Sequence, residues 1–219
     1  ELLAAIQSAR GDASAAIATI EKAMSVSPNN PVLCLQCGDV YFNSRQLKKA
    51  IRWYRTADSI RPNNPQIKNN LAVALRDAGL LEESIEILEG IICAHPDHPL
   101  PHRNLGDALR LQGKLDLAID KYKKAAKLDA KDAATENSLG ITFSMMGNID
   151  DSVLHFQRAV DINRSFPEAE NNLANALSRL RRYDDAVIHA NNAIRLRPKF
   201  ANAHLTLGNI HKLKGNNGL

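Results

Sequence analysis

The sequence has little of what several other protein classes require. Its 219 residues include three cysteines, one tryptophan and only 5% aromatic residues. Three cysteines in a long chain cannot build a dense disulfide framework, so we expect a reducing, cytoplasmic setting and stability from packing alone. No apolar run approaches the roughly 18 residues of a membrane-spanning helix, and the N-terminal residues lack the basic segment of a signal peptide. These shortages exclude a disulfide-stapled domain and predict that the chain does not span a membrane.

The chain does have enough apolar sequence for a sizeable core, with 44% hydrophobic and 24% charged residues. Its net charge of +4 is uneven, because residues 171–219 carry eight basic and two acidic side chains, which leaves residues 1–170 at −2. Aromatic residues do not alternate with these basic residues, as they do where bases stack on a protein. We therefore expect no nucleic acid partner, and we interpret the basic residues as solvated side chains near helix ends.

A 34-residue period runs through the whole chain. Pro28, Pro62 and Pro96 lie 34 residues apart, and Pro198 lies three further periods beyond Pro96. The period predicts a single array over residues 1–219 with no insertion between its repeats. The full repeats are 31–64, 65–98, 99–132, 133–166 and 167–200, between a partial repeat at 1–30 and a partial repeat or capping helix at 201–219.

Each repeat combines apolar residues at helical spacing. A leucine and a small residue come early, as in Leu105-Gly106, and Ala118, Tyr122 and Ala125 follow with gaps of four and three. The pattern predicts two short helices joined by a turn, with the small residue admitting the close approach of a second backbone. First helices are expected at 1–9, 31–43, 65–78, 99–112, 133–146, 167–180 and 201–213. Second helices are expected at 13–26, 47–60, 81–94, 115–128, 149–162 and 183–196.

Turn glycines are predicted after first helices, and capping asparagines just before them. The glycines are Gly11, Gly79, Gly113, Gly147 and Gly215, and the asparagines are Asn29, Asn63 and Asn64. One helix pair cannot bury its apolar face alone, so neighbouring pairs must stack on one another.

These residues resemble the tetratricopeptide repeat. Its pattern W-x-x-L-G-x-x-Y, A-x-x-x-F, P is met at Leu105, Gly106, Ala118 and Tyr122, and its register holds over essentially the whole chain. The resemblance implies an all-α, right-handed superhelical solenoid of about six and a half helix-turn-helix repeats, whose inner wall of first helices binds protein or peptide segments. The tryptophan of the pattern is replaced by Cys34, Lys68, His102, Glu136, Glu170 and His204.

Polar residues that repeat on the first helices are not explained by the core. Asparagine is a mediocre helix former, so each one inside a helix lowers stability by a few tenths of a kcal/mol. An amide donates and accepts hydrogen bonds at once, which matches the main chain of an extended peptide. Asn70, Asn104 and Asn172 share one position of the repeat, Asn69, Asn137 and Asn171 share the position before it, and Asn175 and Asn209 share a third with Asp107.

The asparagine pattern is similar to the ladder on the inner wall of O-linked N-acetylglucosamine transferases and of other tetratricopeptide and armadillo-like peptide receptors. That resemblance implies that Asn70, Asn104 and Asn172 hold the main chain of an extended peptide, and Arg103 is an inward-facing cation beside them. The alternative is that the amides only bridge neighbouring helices.

Two classes of protein carry such an array. One is a stand-alone adaptor or scaffold, and the other is the N-terminal arm of a glycosyltransferase or sulfotransferase with its catalytic domain beyond Leu219. The chain starts at Glu1 without an initiator methionine, so we expect it to be a piece of a longer protein.

Candidate chemistry is sparse. Cys34 and Cys37 have the C-x-x-C spacing of zinc or redox sites, but no second pair follows and Cys37 occupies the leucine position, so we expect core packing. No phosphate-binding loop or catalytic triad order occurs, and we expect no metal, no cofactor and no enzymatic activity in this chain. A further cluster of potential metal ligands surrounds one loop without a supporting pattern, at Cys93, His95, His98 and His102.

Overall fold

The structure is a computed structural model that describes residues 13–27 and 29–216. Within those residues the chain forms twelve helices joined by short turns, with no strand. The helices are α1 (Ala13–Val26), α2 (Pro31–Asn43), α3 (Leu47–Ile60), α4 (Pro65–Asp77), α5 (Leu81–Ala94), α6 (Pro99–Leu111), α7 (Leu115–Leu128), α8 (Ala133–Met145), α9 (Ile149–Ile162), α10 (Pro167–Arg179), α11 (Tyr183–Leu196) and α12 (Ala201–Asn216). The predicted all-α fold of repeated helix pairs is confirmed, while the first helix expected at 1–9 lies outside the described residues.

The helices fall into two compact units, Glu1–Gln112 with α1–α6 and Gly113–Leu219 with α7–α12. In each unit every helix packs on its neighbours in sequence. First helices of adjacent repeats also touch, α4 with α6 in the first unit, and α8 with α10 and α10 with α12 in the second. Side chains of adjacent first helices therefore meet within each unit, at positions 31 or 35 residues apart, as in Asn70 with Asp39 and Asn104 with Asn69. No described helix has the length and apolar character needed to cross a membrane.

Proline and asparagine begin the first helices of the N-terminal repeats. Asn30 Oδ1 accepts a hydrogen bond from Val32 N at 2.9 Å, and Asn64 Oδ1 accepts from the backbone N–H groups of Gln66 and Ile67 at 3.0 and 3.1 Å. The prediction of Asn64 as a cap is thus confirmed. The expected caps Asn29 and Asn63 are wrong, because the capping residue must directly precede the proline at the first helical position.

The turns inside the repeats use a left-handed backbone. Gly79, Gly113 and Gly147 have φ of 82°, 78° and 83°, as glycine permits. Arg45 and Arg181 occupy the equivalent positions of their repeats with φ of 60°, a conformation that costs a side-chain-bearing residue about 1–2 kcal/mol. The turn predicted at Gly215 is wrong, because α12 continues through that residue to Asn216, and Gly11 lies outside the described residues.

In two first helices, α2 and α8, the small residue is a glycine that makes room for an aromatic ring of the second helix. A Cβ added to Gly38 would lie 2.3 Å from Tyr54 Cε1, and one added to Gly140 would lie 2.6 Å from Phe156 Cδ1. At these two positions the expected approach of a second backbone is wrong, since the nearest atoms are side-chain atoms of the second helix. Repeats with alanine at this position carry smaller partners on the second helix, Leu88 where the first helix has Ala72 and Ala190 where it has Ala174.

Candidate functional site

All ten predicted site residues lie on first helices. The first unit holds Asn69, Asn70, Arg103, Asn104 and Asp107, on α4 and α6. The second unit holds Asn137, Asn171, Asn172, Asn175 and Asn209, on α8, α10 and α12. They occupy three positions of the repeat on these first helices, so the contacts of each side chain decide what it can still bind.

Two asparagine pairs bridge adjacent first helices in the same way. Asn104 Nδ2 donates to Asn69 Oδ1 at 2.7 Å between α6 and α4, and Asn172 Nδ2 donates to Asn137 Oδ1 at 2.9 Å between α10 and α8. Asn69 and Asn104 are only 7% and 4% exposed, whereas Asn172 is partly exposed. An amide has two N–H donors and a carbonyl, so the accessible members of such pairs keep hydrogen-bonding capacity toward solvent.

Asn70 makes a different bond, to a carboxylate of the preceding repeat. Its Nδ2 donates to Asp39 Oδ1 at 3.1 Å, and the Tyr54 hydroxyl donates to the same oxygen at 2.8 Å. Burial raises the pKa of Asp39, and the hydrogen bonds from Tyr54 and Asn70 only partly oppose that effect. Burial and the Asp39 charge together raise the pKa of the Tyr54 hydroxyl above its usual value.

Replacing Asp39 by asparagine should stabilise the fold at pH 7, because the amide oxygen can still accept both hydrogen bonds without burying a charge. Since burial raises the folded-state pKa of Asp39, ionisation disfavours the folded state as pH rises through that pKa. The advantage of Asp39→Asn should therefore shrink toward pH 4, as measured by urea unfolding at both pH values. Asp39→Ala should instead cost about 1–3 kcal/mol, since it leaves the Tyr54 hydroxyl without its acceptor. A larger advantage of Asp39→Asn at pH 4 than at pH 7 would contradict this account.

Asp107 belongs to a charged network rather than standing free. Arg76 Nη1 lies 3.1 Å from Asp107 Oδ2, and Arg76 Nη2 lies 2.8 Å from Asp77 Oδ1. Arg110 on the same helix lies 3.8 Å from Asp107 Oδ1. Arg103 is half-buried on α6. These groups largely neutralise one another on the first-helix surface of the first unit.

The second unit has the more exposed amides. Asn175 and Asn209 are both exposed. Asn175 Nδ2 donates to Asn171 O within α10 at 3.1 Å, and its Oδ1 accepts from Thr206 Oγ1 of α12 at 3.3 Å. Asn171 is 6% exposed, and its Oδ1 is buried without a hydrogen-bond partner. Arg179 also lies on this surface and donates to Ser144 Oγ at 2.8 Å.

The position that holds tryptophan in the repeat pattern is occupied here by four residue types, which are cysteine, lysine, histidine and glutamate. Glu136 Oε2 lies 2.7 Å from His155 Nδ1, and Glu170 Oε2 lies 2.6 Å from His189 Nδ1. His102 and His204 instead contact backbone carbonyls, of Pro96 at 2.8 Å and Pro198 at 2.9 Å. Cys34 is fully buried in the core. Sequence reasoning missed the two Glu–His pairs, although each glutamate precedes its histidine by 19 residues, a spacing that repeats after 34.

The cysteine and histidine residues with metal-ligand spacing differ in their burial. Cys34 and Cys37 are both buried, as core packing predicts. Around the loop after α5, Cys93, His95 and His98 are exposed while His102 is buried against Pro96. Among the described residues, no group of three or more cysteine, histidine or acidic side chains is placed to hold a metal ion.

Comparisons with known proteins agree on one kind of repeat. Models described as tetratricopeptide repeat match residues 8–75, 139–200 and 171–217, and a TPR repeat model matches residues 106–147. A search of curated protein sequences finds no match.

Several solved structures share the fold. A chain of the APC/C hetero-tetramer Cut9–Hcn1 has a TM-score of 0.82 at 19% identity, over 96% of this chain and 42% of that one. The type IV pilus biogenesis factor PilW has a TM-score of 0.80 at 20% identity, over 94% and 96% of the two chains. A thermophilic TPR protein of Thermus thermophilus has a TM-score of 0.73 at 18% identity, over 83% and 98%. The chain spans less than half of the Cut9–Hcn1 chain that it matches, and these low identities establish a shared fold alone.

Proposed function

Because the chain belongs to the tetratricopeptide repeat family, we propose that it is a protein-interaction module whose first-helix surfaces bind extended segments of partner proteins. One observation carries the proposal, which is the recurrence of amide side chains at equivalent positions of successive first helices. Neither the hydrophobic core nor helix propensity requires asparagine there. A role as the arm of a larger glycosyltransferase or sulfotransferase stays a prediction from the resemblance.

The amides divide into two groups by exposure. Asn69 and Asn104 are buried in the bridge between α4 and α6, so little of either amide is accessible to a peptide. Asn172 is partly exposed and Asn175 and Asn209 are exposed, so these three can offer hydrogen bonds to a peptide main chain in the second unit. Whether Asn70, Asn104 and Asn172 themselves hold a peptide stays a prediction.

The direct test removes the three accessible amides of the second unit. Random linear peptides displayed on phage are selected on the wild-type chain, and the affinity of the recovered peptides is measured by fluorescence anisotropy. If each amide makes one net hydrogen bond worth about 0.5–1.5 kcal/mol, the variant Asn172→Ala, Asn175→Ala, Asn209→Ala should lose roughly 2–4 kcal/mol, or about thirty-fold and more. The loss should be similar for peptides of different sequence, because the bonds would be made to main chain.

A matched control is Asn191→Ala, which removes an exposed amide from the second helix α11. It should leave the affinity unchanged. Circular dichroism and thermal unfolding establish that each variant is folded before its affinity is compared. If the folded triple variant binds as well as the wild type, these asparagines do not bind the peptide and serve only to bridge helices.

A further inference from the structure

A small pocket opens on the first-helix side of the first unit, between α2, α3 and α4. It is lined by Asp39, Phe42, Tyr54, Asn70 and Val73, and its volume is about 130 Å³. Small-molecule sites usually enclose roughly 300–1,000 Å³, so this pocket, called the Asp39 pocket below, has room for a single side chain. Among its described lining residues, Asp39 is the one that carries a formal charge at neutral pH.

Both hydrogen bonds of Asp39 are made to the same carboxylate oxygen. Tyr54 and Asn70 both donate to Oδ1, and within the described part of the chain no hydrogen bond or ion pair is made to Oδ2. Oδ2 of this half-buried carboxylate is therefore available to a hydrogen-bond donor, and the carboxylate charge has no cationic partner among those residues. Phe42 and Val73 are partly buried and line the same pocket, so the carboxylate lies next to two apolar side chains.

We propose that the Asp39 pocket binds a lysine side chain of the extended segment that the first unit holds. The inference rests on the proposed function, since it names the kind of residue selected on that surface. The aliphatic stem of lysine can pack against Phe42 and Val73 while its ammonium group reaches Asp39 Oδ2. An ammonium next to the Phe42 ring also gains a cation–π attraction.

Lysine fits this pocket better than arginine or a metal ion. Arginine binds carboxylates best through two parallel hydrogen bonds to both oxygens, and Oδ1 already accepts two. Calcium and magnesium need several oxygen ligands, and this pocket offers one carboxylate. Lysine carries a compact charge that one free oxygen can satisfy. The raised pKa of Asp39 is consistent with a carboxylate whose charge lacks a partner.

The test uses the phage-selected linear peptides on the intact chain. Selected peptides should be enriched in lysine at one position, and replacing that lysine by norleucine, which keeps the stem and removes the charge, should weaken binding about ten-fold or more. Replacing it by arginine should weaken binding by a smaller factor. In the Asp39→Asn variant the same norleucine substitution should change affinity by less than about two-fold, because the amide preserves the bonds from Tyr54 and Asn70 but removes the charge.

Asp77→Asn serves as the matched control, because Asp77 lies on α4 and is already paired with Arg76. It should leave the lysine preference intact. Peptides that bind without any lysine preference, or a norleucine effect as large in Asp39→Asn as in the wild type, would overturn the inference while leaving the proposed function standing. Failure to recover any binding peptide would overturn the proposed function and this inference with it.

Discussion

Replacing His155 by alanine is expected to lower the free energy of unfolding by about 3 kcal/mol, because it leaves the buried Glu136 carboxylate without its hydrogen-bond donor, and an unsatisfied charged group costs more than a neutral one. His155 Nδ1 lies 2.7 Å from Glu136 Oε2, and the two side chains are only 11% and 12% exposed. The imidazole also stacks on Phe143, with ring centroids 5.2 Å apart. Its removal would leave the Glu136 carboxylate without that donor in a poorly solvated place.

A double variant separates the cost of the unsatisfied carboxylate from the cost of lost packing. Because replacing both partners of a buried hydrogen bond by apolar groups of similar shape can be nearly neutral, the double variant Glu136→Leu, His155→Leu should be closer to the wild type than His155→Ala alone. His95→Ala, at an exposed histidine of a loop, should change stability by less than about 0.5 kcal/mol. Urea unfolding followed by circular dichroism measures all three. A loss below about 1 kcal/mol in His155→Ala would show that water, rather than the histidine, satisfies Glu136.

Replacing Gly140 by alanine should destabilise the second unit by about 1–3 kcal/mol, although alanine is the better helix former. The added Cβ would lie 2.6 and 2.7 Å from Phe156 Cδ1 and Cε1. Phe156 is 3% exposed and packs in a core cluster with Leu173 and Leu177, so the ring has little freedom to move. The overpacking should therefore outweigh the gain of up to about 1 kcal/mol that alanine normally brings to a helix.

Two helical glycines provide the comparison. A Cβ at Gly90 or Gly208 would meet nothing within 4 Å, so Gly90→Ala and Gly208→Ala should raise stability by up to about 1 kcal/mol. Adding Phe156→Leu to Gly140→Ala should recover part of the loss, because Ala72 and Leu88 form such a pair naturally in another repeat. A thermal unfolding midpoint that rises in Gly140→Ala would disprove the steric argument.

These two predictions concern the positions at which the repeats differ from one another. Glycine is found on the first helix where the second helix carries Tyr54 or Phe156, and alanine where it carries Leu88 or Ala190. A larger side chain on the second helix is thus matched by a smaller residue on the first helix. The pairing of sizes can be read from the sequence, but it is explained by the short distances from a Cβ added at Gly38 or Gly140 to the facing rings.

The 34-residue period was enough to predict the helices, because helix formation depends on local patterns of apolar residues, prolines and caps. The second helices from α3 to α11 begin and end at the predicted residues, as in Leu81–Ala94. The same period placed the asparagines on first helices. The period alone led to Asn29 as a cap, whereas the capping amide is Asn30, which directly precedes Pro31.

Sequence by itself therefore determined the fold class, the bounds of the second helices and the helix that carries each asparagine, all of which follow from spacing along one chain. Tertiary structure alone decided what each polar side chain contacts. The pairing of Asn104 with Asn69, of Glu136 with His155 and of Asn70 and Tyr54 with one oxygen of Asp39 depends on angles and distances between packed helices. Residues at equivalent positions can turn to different partners, because differences of a few ångströms in that packing decide which hydrogen bonds form.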